Sequence, residues 1–489
     1  MTAGGLMVCG TGSDSGKSTL VTGLCRLLAR RGLRVAPFKA QNMALNSAVT
    51  AAGHEIGRAQ AAQAAAAGVA AEVAMNPILL KPSGPRISQV VVMGRPWATM
   101  DAAAYQEAKE RLWPVVAEQL DHLRATYDAV ICEGAGSPAE INLLARDITN
   151  LRVAAHAGFP AVLVGDIERG GVFAALFGTV ALLPPDLASA VRGFVINKFR
   201  GDPGLLGSGF DELHRRTGIP TLGVLPWMDG LGLDAEDSLA LAHYGHRGPA
   251  ALDVAAIRLP RISNFTDLEA LALEPGVRLR LVDRAGDLGR PDLLVLPGSK
   301  ATVADLDWLR EHGLADAVDA LARGGRATVL GICGGFQMLG ETIVDPVEAR
   351  RAEPVAGLGL LPVSTTFDEE KVTRTVEGTA CGRPVAGYEI HHGRTAPVRP
   401  WVQLTYGPEG AADPTGRVRG TSVHGLFEHD AFRRSFLSAV ADAAGVEWAP
   451  DERFSFHRAR EDRFDRLADA IEAHLDADAV LTLVKEAAR

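Results

Sequence analysis

Short apolar runs recur through the first half of the chain at Leu6–Cys9, Val35–Phe38, Ala129–Glu133, Ala161–Asp166, Gly193–Asn197 and Thr221–Val224. Each runs into glycine or a polar residue, and between them apolar side chains fall at helical spacing. Leu20, Leu24, Leu27 and Leu28 follow the first run, and segment 104–124 repeats the pattern. Strands alternating with helices predict a mostly parallel sheet covered on both faces. The pattern lapses around 240–251, which reads as a linker. It resumes at Asp253–Arg258, Val277–Val282, Leu293–Leu296 and Ala327–Ile332, predicting a second α/β sheet with a β-rich stretch over 355–425. The charged tail from 446 carries Phe464, Leu467, Ile471 and Leu475 at helical spacing, which predicts a surface helix packed on a neighbouring domain. The expected organisation is therefore α/β throughout: one parallel-sheet domain over 1–245, a second over 251–445, and a helical tail over 446–489.

Composition narrows the partners. The 489 residues include 59 acidic against 50 basic side chains, a net charge of −9, which disfavours nucleic acid as a partner. The five cysteines (Cys9, Cys25, Cys132, Cys333, Cys381) form no C-x-x-C pair and suit a reducing cytosol. No signal peptide or membrane span is expected, because the least charged stretches, after Arg58 and over 170–185, are polar-broken or end in Pro-Pro. The expected location is cytoplasmic, with the oligomeric state open.

The first run leads into Gly10-Thr11-Gly12-Ser13-Asp14-Ser15-Gly16-Lys17-Ser18-Thr19 and then a helix. Glycines let backbone N–H groups wrap phosphate oxygens at a helix start. Lys17 would neutralise the β- and γ-phosphates, and the Ser18 hydroxyl would ligate Mg²⁺. The usual spacing is G-x-x-x-x-G-K-[ST], but Thr11 occupies the first glycine position and Gly10 lies one residue earlier. Glu133 and Asp166 close two strands at the sheet edge where a nucleotide's Mg²⁺ would lie.

In the second half, Leu330-Gly331-Ile332-Cys333-Gly334-Gly335-Phe336 is a nucleophile elbow with cysteine in the serine position. The turn needs small neighbours, and the helix start favours the thiolate. The N–H of Gly334 is one candidate oxyanion donor, and the backbone of Gly298-Ser299 another. His424 is the expected base, with His391 and His392 as competitors.

Three resemblances follow from these motifs. The lengthened phosphate loop resembles that of dethiobiotin synthetase and its relatives, which phosphorylate a carboxylate or carbamate and let a nucleophile displace the phosphate. In such relatives an Asn-Lys pair like Asn197-Lys198 faces the adenine. The Cys333–His424 pair resembles class I glutamine amidotransferases, which release ammonia from glutamine through a thioester. One departure is clear: those enzymes carry Glu two residues after the histidine, where this chain has Leu426, leaving Glu428 or a backbone carbonyl as substitutes.

The combination resembles the corrin-ring amidases, especially their cobyric acid-forming branch. The resemblance is carried by Pro37-Phe-Lys-Ala-Gln-Asn-Met-Ala-Leu-Asn-Ser47, Gly134-Ala-Gly-Ser-Pro-Ala-Glu-Ile-Asn-Leu143, Asp166-Ile-Glu-Arg-Gly-Gly-Val-Phe173, Lys198-Phe-Arg-Gly-Asp202 and Leu259-Pro-Arg-Ile-Ser-Asn-Phe-Thr266. It implies ATP- and Mg²⁺-dependent amidation of the b, d, e and g carboxylates of adenosylcobyrinic acid a,c-diamide, with glutamine as ammonia donor. Lys39, Gln41, Asn42, Asn46 and Arg169 would suit such a polyanionic acceptor. The rival readings are an a,c-diamide-forming relative, a peptidoglycan-precursor amidase, and a nucleotide-switched binding protein with an inactive glutaminase fold.

Overall fold

The computed structural model describes residues 3–84, 86–228 and 251–487; the expected linker at 240–251 lies outside them except for Ala251. The first sheet has six parallel strands in the order Thr221–Pro226, Val191–Phe199, Ala161–Asp166, Gly4–Gly10, Ala129–Glu133, Val35–Phe38. The central strand Gly4–Gly10 is buried along its whole length, as is Ala129–Glu133, which explains the apolar runs Leu6–Cys9 and Ala129–Cys132. Because all strands run the same way, the phosphate loop, Glu133, Asp166 and Asn197 emerge at one edge. The helix Lys17–Arg30 buries Leu20, Leu24, Leu27 and Leu28.

Between the second and third strands of the chain an insertion builds its own four-stranded sheet from Gln41–Met43, Ile78–Pro82, Ile87–Val92 and Arg95–Asp101. Beside it a hairpin, Ser47–Val49 with Glu55–Gly57, reaches the second half of the chain. Ser47 N donates to Asn264 Oδ1 at 2.8 Å, and the Tyr388 hydroxyl donates to Ser47 O at 3.1 Å. Glu55 is buried between Lys81 and Lys371, each 2.5 Å away, and these two cations hold its carboxyl low against the upward push of burial.

The second half contains a sheet ordered Val277–Val282, Leu252–Ile257, Leu293–Leu296, Thr328–Ile332, Val418–Thr421, Ala411–Ala412, parallel except for the last pair. The β-rich stretch up to Glu409 forms a separate sheet dominated by the long antiparallel pair Ser364–Ala380 and Arg383–Thr395, while its last two strands complete the main sheet.

After 446 the chain forms two helices, where its apolar spacing predicts one. Phe456–His474 lies along Lys17–Arg30, with Phe464, Leu467 and Ile471 buried. Arg26 grips Asp465 through two hydrogen bonds of 2.8 and 3.0 Å, and Arg30 pairs with Asp469 at 2.6 Å. The same helix sends buried Arg463 to Glu269 of the second half, so it straps both halves together. Leu475 is extended, and a new helix, Ala477–Glu486, begins with its first turn capped by Asp476. Among the described residues no helix is long and apolar enough to cross a membrane.

Candidate active sites

The strand Gly4–Gly10 ends directly in the phosphate loop. Gly16 takes a left-handed conformation (φ 95°), which turns the chain into the helix at Lys17. A side chain on Gly16 would also strike the Asn197 amide, since a β-carbon there would lie 1.9 Å from Nδ2. Asn197 donates that amide to Ser15 O at 3.0 Å, so it braces the loop from below rather than standing open to a base. Thr11 is held by its N–H on Val164 O at 2.9 Å, Asp14 adopts φ 57°, and Ser18 and Thr19 lie in the helix's first turn. Lys17 Nζ bonds Gly12 O at 2.8 Å and Gly136 O at 3.2 Å, which holds the ammonium over the loop.

Glu133 is the hub beside it. Its Oε1 accepts from Ser18 Oγ and from Lys39 Nζ, each at 2.8 Å, and its Oε2 accepts from Gln63 Nε2 at 2.6 Å. Burial pushes this carboxyl up, but Lys39 and the hydrogen bonds outweigh it, and the group is held below the usual carboxylate range. These groups fit a magnesium nucleotide. A hydroxyl and an ionised carboxylate share one spot at the phosphate loop, as Mg²⁺ with phosphate ligands requires. The buried Ser15 hydroxyl and Gln63 Oε1 have no hydrogen-bond partner among the described residues, which leaves polar atoms for a ligand. No cluster of three or more His, Cys, Asp or Glu that could hold a metal occurs among the described residues. Asp166 instead pairs with Lys198 at 2.8 Å and caps the N–H of Glu168.

The expected acceptor residues do not gather on one open surface. Lys39 is buried at Glu133. Gln41 accepts from the Tyr105 hydroxyl at 2.6 Å, and Asn42, buried, donates to Gln60 at 2.9 Å. Asn46, also buried, accepts from Phe265 N at 3.2 Å and so ties the two halves together. Arg169 is exposed. Asn42 and Asn46 are drawn inward because their amides satisfy buried polar groups that would otherwise be orphaned.

In the second half, Cys333 follows the strand Thr328–Ile332 with φ 51° and ψ −107°, a strained geometry that a nucleophile elbow imposes. Only glycine fits beside it: a β-carbon on Gly335 would lie 1.9 Å from Leu296 O, and one on Gly334 would lie 2.8 Å from Ser299 N. Gly334 thus packs against Ser299, which lines the same cavity as Cys333, and a β-carbon on Gly298 would sit 3.2 Å from His424 Cε1.

His424 is fully buried and stacks on Tyr388 at 5.3 Å. Its Nδ1 lies 2.6 Å from Asp267 Oδ2, while Asp267 Oδ1 accepts the N–H of Gly425 at 2.7 Å. Burial disfavours the imidazolium, yet Asp267 and then Cys333 more than offset it, and the His424 pKa is pushed up to about 10. The third member of the constellation is therefore an aspartate 157 positions upstream of His424 in sequence. Glu428 does not take that place; it pairs with Arg58 at 2.8 Å, and Leu426 is buried. Asp267 directly follows the Arg-Ile-Ser-Asn-Phe-Thr266 stretch, and an acid at that loop end was the available signal. His391 uses Nδ1 on Gly393 O at 2.7 Å and sets Nε2 3.4 Å from Glu389, so neither nitrogen is left for Cys333. Cys9, Cys25 and Cys132 are wholly buried thiols raised by desolvation.

Residues 6–240 match the CobQ/CobB/MinD/ParA nucleotide binding domain, and residues 253–432 match the CobB/CobQ-like glutamine amidotransferase domain. The cobyric acid synthase of Frankia casuarinae is 53% identical, covering 99% of this chain and 97% of that protein. That of Rhodococcus jostii is 55% identical over 98% and 95%, and that of Streptomyces coelicolor 53% over 99% and 97%. A phosphate loop and a cysteine elbow occur separately in many proteins, but likeness at this level along both halves and the tail does not arise piecemeal: the chain belongs to the cobyric acid synthase family.

Proposed function

We propose that this protein amidates the b, d, e and g carboxylates of adenosylcobyrinic acid a,c-diamide, giving cobyric acid in the cytosol, with ATP as energy source and glutamine as ammonia donor. The observation that carries the reading is the presence in one chain of the Ser18–Glu133–Lys39 centre and the Cys333–His424–Asp267 constellation. Residues 1–245 act as the synthetase, 251–445 as the glutaminase, and 446–489 as a tail that holds them together.

At the glutaminase, the Cys333 sulfur attacks the side-chain amide carbon of glutamine. Backbone N–H groups of Gly334 and of the Gly298-Ser299 turn face the developing oxyanion. The carbon–nitrogen bond breaks as His424 hands a proton to the departing ammonia, and Asp267 keeps the imidazole oriented for that transfer. Water then cleaves the thioester to glutamate and free thiol.

At the synthetase, Gly10, Thr11, Asp14, Ser15 and Gly16 shape the loop for the phosphates, and Lys17 balances their charge. Ser18 and Glu133 would hold Mg²⁺, with Asp166 at the same edge; the ion supplies neutralisation of phosphate charge. Transfer of the γ-phosphoryl group makes an acyl phosphate on the acceptor, and ammonia displaces phosphate to form the amide. Arg169, which is exposed, supplies positive charge toward the acceptor carboxylates, while Lys39 stays paired with Glu133.

The test is product mass after incubation with ATP, Mg²⁺, glutamine and the a,c-diamide. The expected outcome is a ladder of up to four carboxyl-to-amide conversions. Ammonium should replace glutamine for Cys333→Ser, and Lys17→Ala should abolish amidation from either source. Intact glutaminase and ATPase with no mass change would overturn the corrinoid substrate.

A further inference from the structure

The cavity that holds Cys333 has a second polar wall that the chemistry above does not use. Lys300, Glu348, Phe367, Lys371 and His392 line it together with the nucleophile. Glu348 sits on a built turn: the Asp345 carboxylate accepts the backbone N–H groups of Val347, Glu348 and Ala349 at 3.1, 2.7 and 3.0 Å. Its carboxylate pairs with Lys300, and both side chains are largely buried. Burial opposes the charge on Glu348, but Lys300 outweighs it and keeps the group ionised.

His392, 5% exposed, adds an acceptor. Its Nδ1 lies 2.9 Å from Asp368 O. A carbonyl only accepts, so Nδ1 carries the proton and Nε2 of the neutral ring is a bare acceptor. That Nε2 is buried with no hydrogen-bond partner among the described residues. Leaving such an atom empty carries a desolvation penalty unless a donor arrives from outside the chain.

A buried carboxylate, a bare imidazole nitrogen and a lysine ammonium in one cavity complement a zwitterion. The amide of glutamine belongs at Cys333, and its other end carries an ammonium and a carboxylate. We propose that Glu348 and His392 Nε2 bind the α-ammonium of the donor glutamine and Lys300 its α-carboxylate, so that these residues select the free amino acid over other primary amides. This rests on the glutaminase reading and extends it from chemistry to donor selection.

The test compares kcat and KM for glutamine and for 4-carbamoylbutyrate, which is glutamine without its α-amino group. Sites built to hydrogen-bond a group reject analogues lacking it strongly, so the wild-type preference for glutamine should be roughly 10³-fold or more. Glu348→Gln should lower kcat/KM for glutamine ~100-fold, chiefly through KM, without lowering that for 4-carbamoylbutyrate. His392→Asn, which keeps a donor for Asp368 O and removes the inward acceptor, should reduce the preference ~10-fold. A preference ratio unchanged in both variants, or equal losses on both substrates, would overturn the assignment. A wild-type enzyme that hydrolyses neither amide would sink the glutaminase reading itself and this assignment with it.

Discussion

Asp267→Asn isolates what the buried carboxylate does for His424. Asparagine has nearly the same shape, but it cannot accept from both His424 Nδ1 and Gly425 N as Asp267 does at 2.6 and 2.7 Å. Raising His424 from 6.5 to about 10 corresponds to ~5 kcal/mol in favour of the imidazolium, at ~1.4 kcal/mol per pH unit. Asp267 is the largest contributor in that direction, while burial opposes it, so most of the effect should vanish with the carboxylate. Glutamine-dependent glutamate release should fall roughly 10²- to 10⁴-fold, equivalent to ~3–5 kcal/mol of lost stabilisation. Amidation from ammonium should persist.

A second readout checks the same cause. A pKa raised on folding stabilises the native state fully below the unfolded value of 6.5, and that stability is lost as pH rises through about 10. Urea unfolding should therefore separate wild type from Asp267→Asn most near pH ~6, with the gap closing above pH ~10. Wild-type glutaminase in the variant, or a stability gap independent of pH, would refute the reasoning.

Other outcomes follow from the same contacts. Lys39→Met leaves the buried Glu133 carboxylate without its cation; ammonium-driven amidation should drop ~10²-fold while glutamate release from glutamine continues. Glu409 is buried against Thr421 and Ser422, and burial, only partly offset by their hydrogen bonds, lifts its carboxyl to about 7. Folding then takes up a proton at Glu409, so its contribution to stability should fall by about 3 kcal/mol as pH rises from ~4.5 to ~7; the difference between wild type and Glu409→Gln in pH-dependent denaturation should show that slope. Leu467→Ala, in the strapping helix, should cost ~2–4 kcal/mol in chemical unfolding and loosen the tail before the sheets.

Both sheets were legible in the sequence because a strand buried on both faces must be apolar along its buried core, and Ala129–Cys132 and Leu293–Leu296 are. The phosphate loop and the Cys333 elbow were legible for a related reason. Their chemistry depends on glycines and reactive side chains within a few consecutive residues, so spacing alone carries it. The insertion over 41–101 was not, since its strands are short, partly exposed and of mixed polarity.

Other features depend on residues far apart in the chain. Local sequence places Lys39, Asn42 and Asn46 in a promising polar stretch, but burial assigns Lys39 to the Glu133 hub and the two asparagines to internal hydrogen bonds. It also leaves His424 without an orienting acid, because the position two residues on is Leu426. Asp267 supplies that acid from another loop, and Glu348 and His392 join Cys333 from separate segments of the chain. Local geometry is set by neighbours in sequence, so the chain itself determined the two folds and the two reactive centres. Orientation, charge pairing and donor selection depend on groups dozens of residues apart, and only the packing of the two sheets decided which of them meet.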